Sequence, residues 1–132
     1  MVHRRFANQR RFGLAAAQGD AYAQRMLGKM HLNMHRQGVG GPRDLAEARR
    51  LLGLAAAQGD AEAQFRLGSM HNKGEGEPQD FAEARRLYEL AAAQGGADAQ
   101  RMLGHMHLHG EGGSKDFAEA RRLLGLAVGQ GH

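Results

Sequence analysis

One heptapeptide recurs along this chain at a nearly constant spacing. Leu54-Ala-Ala-Ala-Gln-Gly-Asp60 repeats Leu14–Asp20 without a change, and altered copies follow at Leu90–Gly96 and Leu126–His132. The copies start 40, 36 and 36 residues apart. This period is typical of stacked-repeat proteins, in which each repeat buries its apolar face against its neighbours. Such proteins provide long binding surfaces more often than catalytic centres.

Residues 61–96 show what one repeat contains. Apolar residues at helical spacing predict a first helix over residues 61–73, with Asp60 as its N-cap. Gly74-Glu-Gly76 and the proline that follows end this helix, and Asp80 caps a second helix. The two apolar faces consist of Ala63, Leu67 and Met70 in the first helix and Phe81, Ala84, Leu87, Tyr88 and Ala91 in the second.

The other repeats follow the same plan. Residues 97–132 match residues 61–96 at 22 of 36 positions. Residues 21–60 carry four extra residues after Met30, which we expect to lengthen the first helix by about one turn. Residues 4–20 form a half-repeat that supplies one lone second helix. The fold class predicted is all-α, an α/α solenoid of about three and a half helix-loop-helix repeats with seven helices, in a single domain over residues 1–132.

Some positions are identical in all three complete repeats, and we interpret them as the packing seam between helices. Glycine inside a helix costs about 1 kcal/mol relative to alanine, so its recurrence predicts a neighbouring helix too close for a methyl group. The invariant positions are Ala23/Ala63/Ala99, Gln24/Gln64/Gln100, Leu27/Leu67/Leu103, Gly28/Gly68/Gly104 and Met30/Met70/Met106.

Composition excludes some classes of function and favours others. The chain has no Cys, so it offers no disulfide or thiolate chemistry, and its net charge of +4 favours acidic partners mildly. No apolar run is long enough to predict a membrane span. The arginine-rich segment before Asp20 is compatible with a transit peptide, but its alignment with the second helices favours a structural role. A cytoplasmic location is the expectation.

The repeat pattern resembles a known family. Ala-x-Ala-Gln-x-x-Leu-Gly-x-Met-His, Gly-Glu-Gly, Asp-Phe-Ala-Glu-Ala and Leu-Ala-Ala-Ala-Gln-Gly occur in this order, as in the Sel-one-like repeat (SLR) family, a relative of the tetratricopeptide repeats. The resemblance covers residues 6–132 and implies a right-handed α-superhelix with a scaffold or adaptor role, often in bacteria. The chain departs from the family at His31, His71 and His107, where an aromatic residue is usual.

The resemblance also implies where a partner would bind. In tetratricopeptide-like folds the first helices line the concave face, so the variable positions of those helices are the candidate binding residues. Their cations and scattered apolar side chains favour an acidic peptide or protein segment. The candidates are Tyr22, Arg25, Lys29, Leu32, Asn33, Glu62, Phe65, Ser69, Asn72, Lys73, Asp98, Arg101, His105, Leu108 and His109.

The histidines give a weaker hypothesis. His105 and His109 lie one helical turn apart and are a possible pair of ligands for a transition metal, although no further ligand is evident nearby. His31, His71 and His107 share one repeated slot, so we interpret them as packing residues with one ring nitrogen hydrogen-bonded. We predict no cofactor and no physiological metal.

Arginine pairs recur in the second helices at Arg49-Arg50, Arg85-Arg86 and Arg121-Arg122. They could form a basic stripe for nucleic acid. A glutamate three residues before the second arginine of each pair favours a salt-bridged, solvated face instead. No aromatic residues interleave with the pairs for base stacking, which disfavours nucleic acid.

The sequence therefore predicts a non-catalytic scaffold for protein–protein interaction, with no nucleophile motif or phosphate loop. One alternative is a designed or consensus repeat scaffold without a natural ligand. Others are a fragment of a longer array and a basic protein associated with nucleic acid. We also expect Leu123, Leu126 and Val128 to stay partly exposed, which would allow end-to-end self-association through residues 116–130 or through the N-terminal half-repeat.

Overall fold

The protein folds into helices joined by short loops. The computed structural model describes residues 2–38 and 42–130, and for residues 2–8, 42 and 43 it describes the backbone alone. Over these ranges it contains seven helices and no strand, as the sequence predicts. The helices are α1 Val2–Ala17, α2 Ala21–Arg36, α3 Pro42–Ala57, α4 Ala61–Lys73, α5 Phe81–Ala93, α6 Ala97–His109 and α7 Phe117–Gly129.

Local sequence sets where these helices begin and end. The Asp60 carboxylate accepts a hydrogen bond from the Ala63 N–H at 2.8 Å, and Asp80 accepts one from the Glu83 N–H at 3.0 Å, so both are N-caps as predicted. The glycine of the Gln-Gly pair that ends three of the second-type helices adopts a positive φ, which residues with a Cβ rarely tolerate. These angles are 94° at Gly19, 93° at Gly59 and 91° at Gly95.

The chain forms two compact units, Met1–Ala63 and Gln64–His132, here called unit 1 and unit 2. The core of unit 1 includes Ala16, Ala23, Leu27 and Leu51, all buried. The core of unit 2 centres on Tyr88 of α5, which is 0% exposed. The other buried members of that core are Ala84, Ala91, Ala92, Ala99, Leu103, Met106 and Leu123.

The four extra residues of the first repeat lengthen its first helix. Helix α2 has 16 residues, whereas α4 and α6 have 13 each, which confirms the predicted additional turn. Residues 39–41, between α2 and α3, lie outside the described residues. Leu32 was expected on the binding face, and this was wrong, because it is only 1% exposed. It follows Gly28 by four residues and so lies on the same buried side of α2.

The invariant helical glycines lie where two helices approach closely. A Cβ built on Gly28 would be 2.9 Å from Leu52 Cγ, and one built on Gly104 would be 2.8 Å from Leu124 Cγ. In each case the neighbour belongs to the second helix of the same repeat. The prediction that these glycines accommodate a close helix is therefore confirmed.

A pair of glutamines links each of two heptapeptides to the first helix of the repeat that it closes. In unit 1 the Gln58 amide donates to Gln24 Oε1 at 2.7 Å, and Gln24 in turn donates to the Ala16 carbonyl at 3.2 Å. In unit 2 Gln130 donates to Gln100 at 2.6 Å in the same way. A buried amide requires hydrogen-bond partners, so this relay explains why both glutamine slots are invariant. The sequence placed Gln24 and Gln100 in a packing seam but did not reveal their partners.

Candidate partner-binding surface

In unit 1 the predicted cations of α2 are already neutralised. Arg25 Nε lies 3.0 Å from an Asp60 carboxylate oxygen, and its Nη1 lies 2.5 Å from Glu62. Lys29 Nζ lies 3.0 Å from the other Glu62 oxygen. The Arg25 side chain is 18% exposed. Three of the predicted binding residues thus bind one another and are not available as separate charges for an acidic ligand.

Besides the buried Leu32, the remaining candidates of unit 1 are exposed. Tyr22 is 53% exposed, and its ring makes an edge contact with Phe12 at a centroid distance of 6.1 Å. The Arg25 guanidinium carbon lies 5.1 Å from the centroid of the Tyr22 ring. Asn33 is also exposed. Tyr22 therefore presents a supported aromatic surface, but unit 1 presents no separate cation at the predicted positions of α2.

In unit 2 two predicted binding residues of α4 contact the buried tyrosine. Phe65 packs on the Tyr88 ring with centroids 5.7 Å apart, and the Ser69 hydroxyl is hydrogen-bonded to the Tyr88 hydroxyl at 3.0 Å. Burial raises the pKa of Tyr88, and the bond from Ser69 opposes this only in part. Phe65 and Ser69 are therefore structural, whereas Lys73 is exposed at the end of α4.

Helix α6 presents a continuous exposed row of predicted residues. Asp98, Arg101, His105 and His109 are all exposed, and the helical repeat of 100° per residue places them on one side of the helix. Arg101 forms one long ion pair with Asp98, at 3.6 Å. The His105 and His109 rings stack with an interplanar angle of 6°. We call this row the α6 surface; it is the largest set of predicted residues that are exposed together.

The stacked histidine pair does not reach the ligand number of a structural zinc site. Such sites use four protein ligands, and catalytic sites use three. The described part of the chain contains no group of three or more His, Cys, Asp or Glu side chains able to hold a metal ion. The ring centroids of His105 and His109 are 6.5 Å apart.

The histidine slot shared by the repeats has opposite partners in the two units. His31 Nδ1 lies 2.9 Å from the Asp44 carboxylate in unit 1. In unit 2 His107 Nδ1 lies 2.5 Å from Arg85 Nη2 and accepts its hydrogen bond, since arginine can only donate. One hydrogen-bonded ring nitrogen was predicted for the histidines at this slot. This is confirmed at His31 and His107. The slot of Arg85, in the second-type helix before His107, holds Gln9 in the helix before His31, so His31 lacks the same arginine partner.

Most arginines of the three pairs form ion pairs or hydrogen bonds within the protein. Arg50 Nε donates to Glu47 at 3.1 Å, and Arg122 Nε donates to Glu119 at 3.0 Å, so the predicted ion pairs are confirmed. The hydrogen bond to its arginine holds the pKa of each glutamate below its usual value. The same contacts raise the pKa of the two arginines. Ion pairing therefore lowers the positive charge that the predicted stripe offers to a phosphate.

The first arginine of the middle pair is buried. Arg85 is 7% exposed and donates to the Ser114 carbonyl at 2.8 Å and to the Glu111 carbonyl at 3.3 Å. These hydrogen bonds hold the loop after α6 against helix α5. A Cβ on Gly113 would be 2.1 Å from Arg85 Nη1, so a side chain there would displace the guanidinium group. Sequence reasoning missed this role; the tight glycine-rich loop after each first helix was the available signal.

The predicted exposure of α7 is partly wrong. Leu123 is 2% exposed because it belongs to the core of unit 2. Leu126 is 44% exposed, close to the 42% of Leu54 and the 43% of Leu90 at the same repeat slot, so its exposure is not special to α7. Val128 is 68% exposed, as predicted. In the described residues no helix is both long and apolar enough to cross a membrane.

Comparisons with known proteins agree with this architecture. The Sel1 repeat family model matches residues 21–60, 61–96 and 97–132. A Sel1 repeat protein of Oxalobacter formigenes is similar in structure, with 35% sequence identity and a TM-score of 0.79 over 92% of this chain and 88% of that one. No curated protein sequence matches the chain.

Two further solved structures are similar. One is a protective antigen of uropathogenic Escherichia coli strains that displays an SLR fold, with 25% identity and a TM-score of 0.65 over 94% of this chain and 33% of that one. The other is Helicobacter pylori cysteine-rich protein B, with 18% identity and a TM-score of 0.68 over 94% of this chain and 91% of that one, a likeness in fold alone. Since the family model covers three consecutive repeats, the chain belongs to the Sel1 repeat family.

Proposed function

We propose that this chain is a non-catalytic scaffold that binds an acidic segment of a partner protein on the α6 surface. The Sel1 repeat fold is generally a scaffold for protein–protein interaction, and proteins of the family are generally not enzymes. The choice of surface and of partner chemistry rests on the exposed side chains of α6.

The proposal rests on a difference in ion pairing between Arg25 and Arg101, which occupy the same position in two repeats. Arg25 makes two short ion pairs inside unit 1, whereas Arg101 is exposed and makes one long ion pair with Asp98. Arginine recognises carboxylates through paired, charge-assisted hydrogen bonds. An exposed arginine with a single weak intramolecular partner is therefore the better anchor for an acidic ligand.

The rest of the α6 surface fits an extended or helical segment. The exposed row of helix α6 runs from Asp98 to His109, so it extends over about 16 Å at 1.5 Å per residue. His105 and His109 add two hydrogen-bonding rings along this row. A partner with carboxylates spaced one helical turn apart could contact the arginine and a ring together.

A peptide selection followed by binding measurements tests the proposal. Random peptides are selected on immobilised wild-type protein, and the affinity of the enriched sequences is measured by fluorescence anisotropy. We expect enrichment in Asp and Glu, and about tenfold weaker binding to Arg101→Glu. Arg121→Glu is the matched control, because it makes the same charge change at an exposed arginine of α7. Selected peptides without acidic residues, or equal losses in both variants, would contradict the proposal.

A further inference from the structure

Unit 2 contains a groove that the proposed function does not use. It has a volume of about 460 Å³ and lies among α5, α6 and α7. Known ligand pockets have volumes of about 300–1,000 Å³, so the groove is large enough for at least one long side chain. Its α6 lining includes Leu103, which helical geometry places on the side of α6 opposite Arg101 and His105. We call it the outer groove.

The lining of the outer groove is partly polar and partly apolar. Ala92 of α5, Leu103 of α6, and Leu123 and Leu126 of α7 all contribute to the lining. Of these four side chains only Leu126 is exposed, at 44%, and the other three are buried. An aliphatic group placed there would bury apolar surface that water now contacts.

The charge of the outer groove comes from three side chains. Glu119 and Arg122 are ion-paired with each other and cancel. Glu89 also lines the groove, and it is exposed. Among the described residues Glu89 has no hydrogen-bonding or ion-pairing side-chain partner. The groove therefore keeps one net negative charge beside a partly apolar lining.

The position of Glu89 is exceptional within the repeats. The same slot holds Gly13, Gly53 and Gly125 in the other second-type helices. A Cβ built at those three glycines would meet nothing within 4 Å, so packing does not require glycine at this slot. The carboxylate of Glu89 is thus a specific addition to the wall of the outer groove, and the fold does not need it.

We propose that the outer groove binds a lysine or arginine side chain of a partner protein. The aliphatic stem of such a side chain would lie on Leu126, and its cationic head would meet the Glu89 carboxylate. Long basic side chains commonly bury their stems on apolar surface while the charge stays near water. Unit 2 would then recognise two chemistries on opposite sides of α6, carboxylates on the α6 surface and an aliphatic cation in the outer groove.

The test uses n-butylguanidinium as a probe of this side chain, followed by methyl and amide NMR shifts of the whole chain. We expect saturable shifts at Ala92, Leu123 and Leu126 in the wild type. Pentanoate, an anion with a similar alkyl chain, should cause no comparable shifts there. Glu89→Gln should weaken butylguanidinium binding about threefold to fivefold, the range expected for one accessible ion pair.

Matched variants distinguish the contribution of the Glu89 carboxylate from general effects of a change in charge. Asp98→Asn makes the same change of charge on the α6 surface and should leave butylguanidinium binding unchanged. Glu89→Gly places at this slot the residue that the other second-type helices carry, so it should fold and should bind as weakly as Glu89→Gln. Leu126→Ser should weaken binding through the stem. Shifts that map outside the outer groove, or equal binding by wild type and Glu89→Gln, would overturn the proposal.

Discussion

The first and third repeats carry the same residue types at several slots but use them differently. Arg25 and Arg101 occupy one slot, yet Arg25 is paired with Asp60 and Glu62 whereas Arg101 remains exposed on α6. Asp60 is the last residue of the heptapeptide in unit 1, and Glu62 follows it in the next repeat. The difference shows that the identity of a repeat residue does not determine whether it is available to a partner; its neighbours in the next repeat do.

The histidine slot shows the same effect more strongly. His31 pairs with Asp44, an aspartate in the first turn of α3, because α3 begins two residues before it. The corresponding Asp116 is the N-cap of α7 and accepts from the Glu119 N–H at 3.0 Å. His107 contacts Arg85 instead. The start of the second helix thus decides which partner its aspartate takes.

The largest effect is expected where a buried side chain has several partners. Arg85→Ala removes the hydrogen bonds to two loop carbonyls and to His107, and it should lower the free energy of unfolding by about 2–4 kcal/mol in urea titrations. Arg121→Ala, at the same slot but exposed, should change it by less than about 0.5 kcal/mol. Equal losses from the two substitutions would refute the structural role of Arg85.

The loss of stability caused by a methyl group at the close helix contact should differ between the two units. Gly28→Ala places a methyl group against Leu52, which is 0% exposed and has no room to move. We expect an overpacking cost of about 1–3 kcal/mol, reduced by about 1 kcal/mol of improved helix propensity. Gly104→Ala meets Leu124, which is only partly buried and can shift, so its net cost should be smaller by about 1 kcal/mol. Thermal unfolding of both variants checks this order.

Tyr88 should make unit 2 sensitive to alkaline pH. Its pKa is raised by burial, so the neutral hydroxyl is favoured in the folded state. The stability from this group is present below a pH of about 10 and is lost as the pH rises through the raised pKa. Tyr88→Phe should cost about 1 kcal/mol at neutral pH, through loss of the Ser69 bond, and should flatten the alkaline decline. Tyr22→Phe, at an exposed site, is the control; an unchanged decline in Tyr88→Phe would contradict the assignment.

The smallest effect expected is the coupling at the histidine slot. A double-mutant cycle with His31→Ala and Asp44→Ala should give a coupling energy of about 0.5–1 kcal/mol. The cycle with His107→Ala and Asp116→Ala should give less than about 0.3 kcal/mol, because the Asp116 side chain caps α7. Urea denaturation of the wild type, the four single variants and the two double variants provides both values. Similar couplings in the two units would mean that the aspartates play the same role.

Sequence reasoning recovered most of the fold because the repeats encode it locally. Helical spacing, aspartate caps and Gln-Gly ends predict the helices, and the invariant glycines predict the close helix contacts. The intramolecular pairing of side chains was harder to predict, because it depends on side chains from the next repeat. The loop contacts of Arg85 and the ion pair between Arg25 and Glu62 both arise this way. The outer groove escaped prediction for a similar reason, since it forms only where three helices meet.

The most direct test of the account is to map where an acidic peptide contacts the protein. Amide chemical shifts of isotope-labelled wild-type protein are followed during titration with a peptide from the selection described above. The account predicts shifts centred on Arg101, His105 and His109 of α6, with little change at Arg25 and Lys29 of α2. Shifts centred on α2, or equal shifts at both helices, would contradict the claim that internal ion pairs decide which repeat binds.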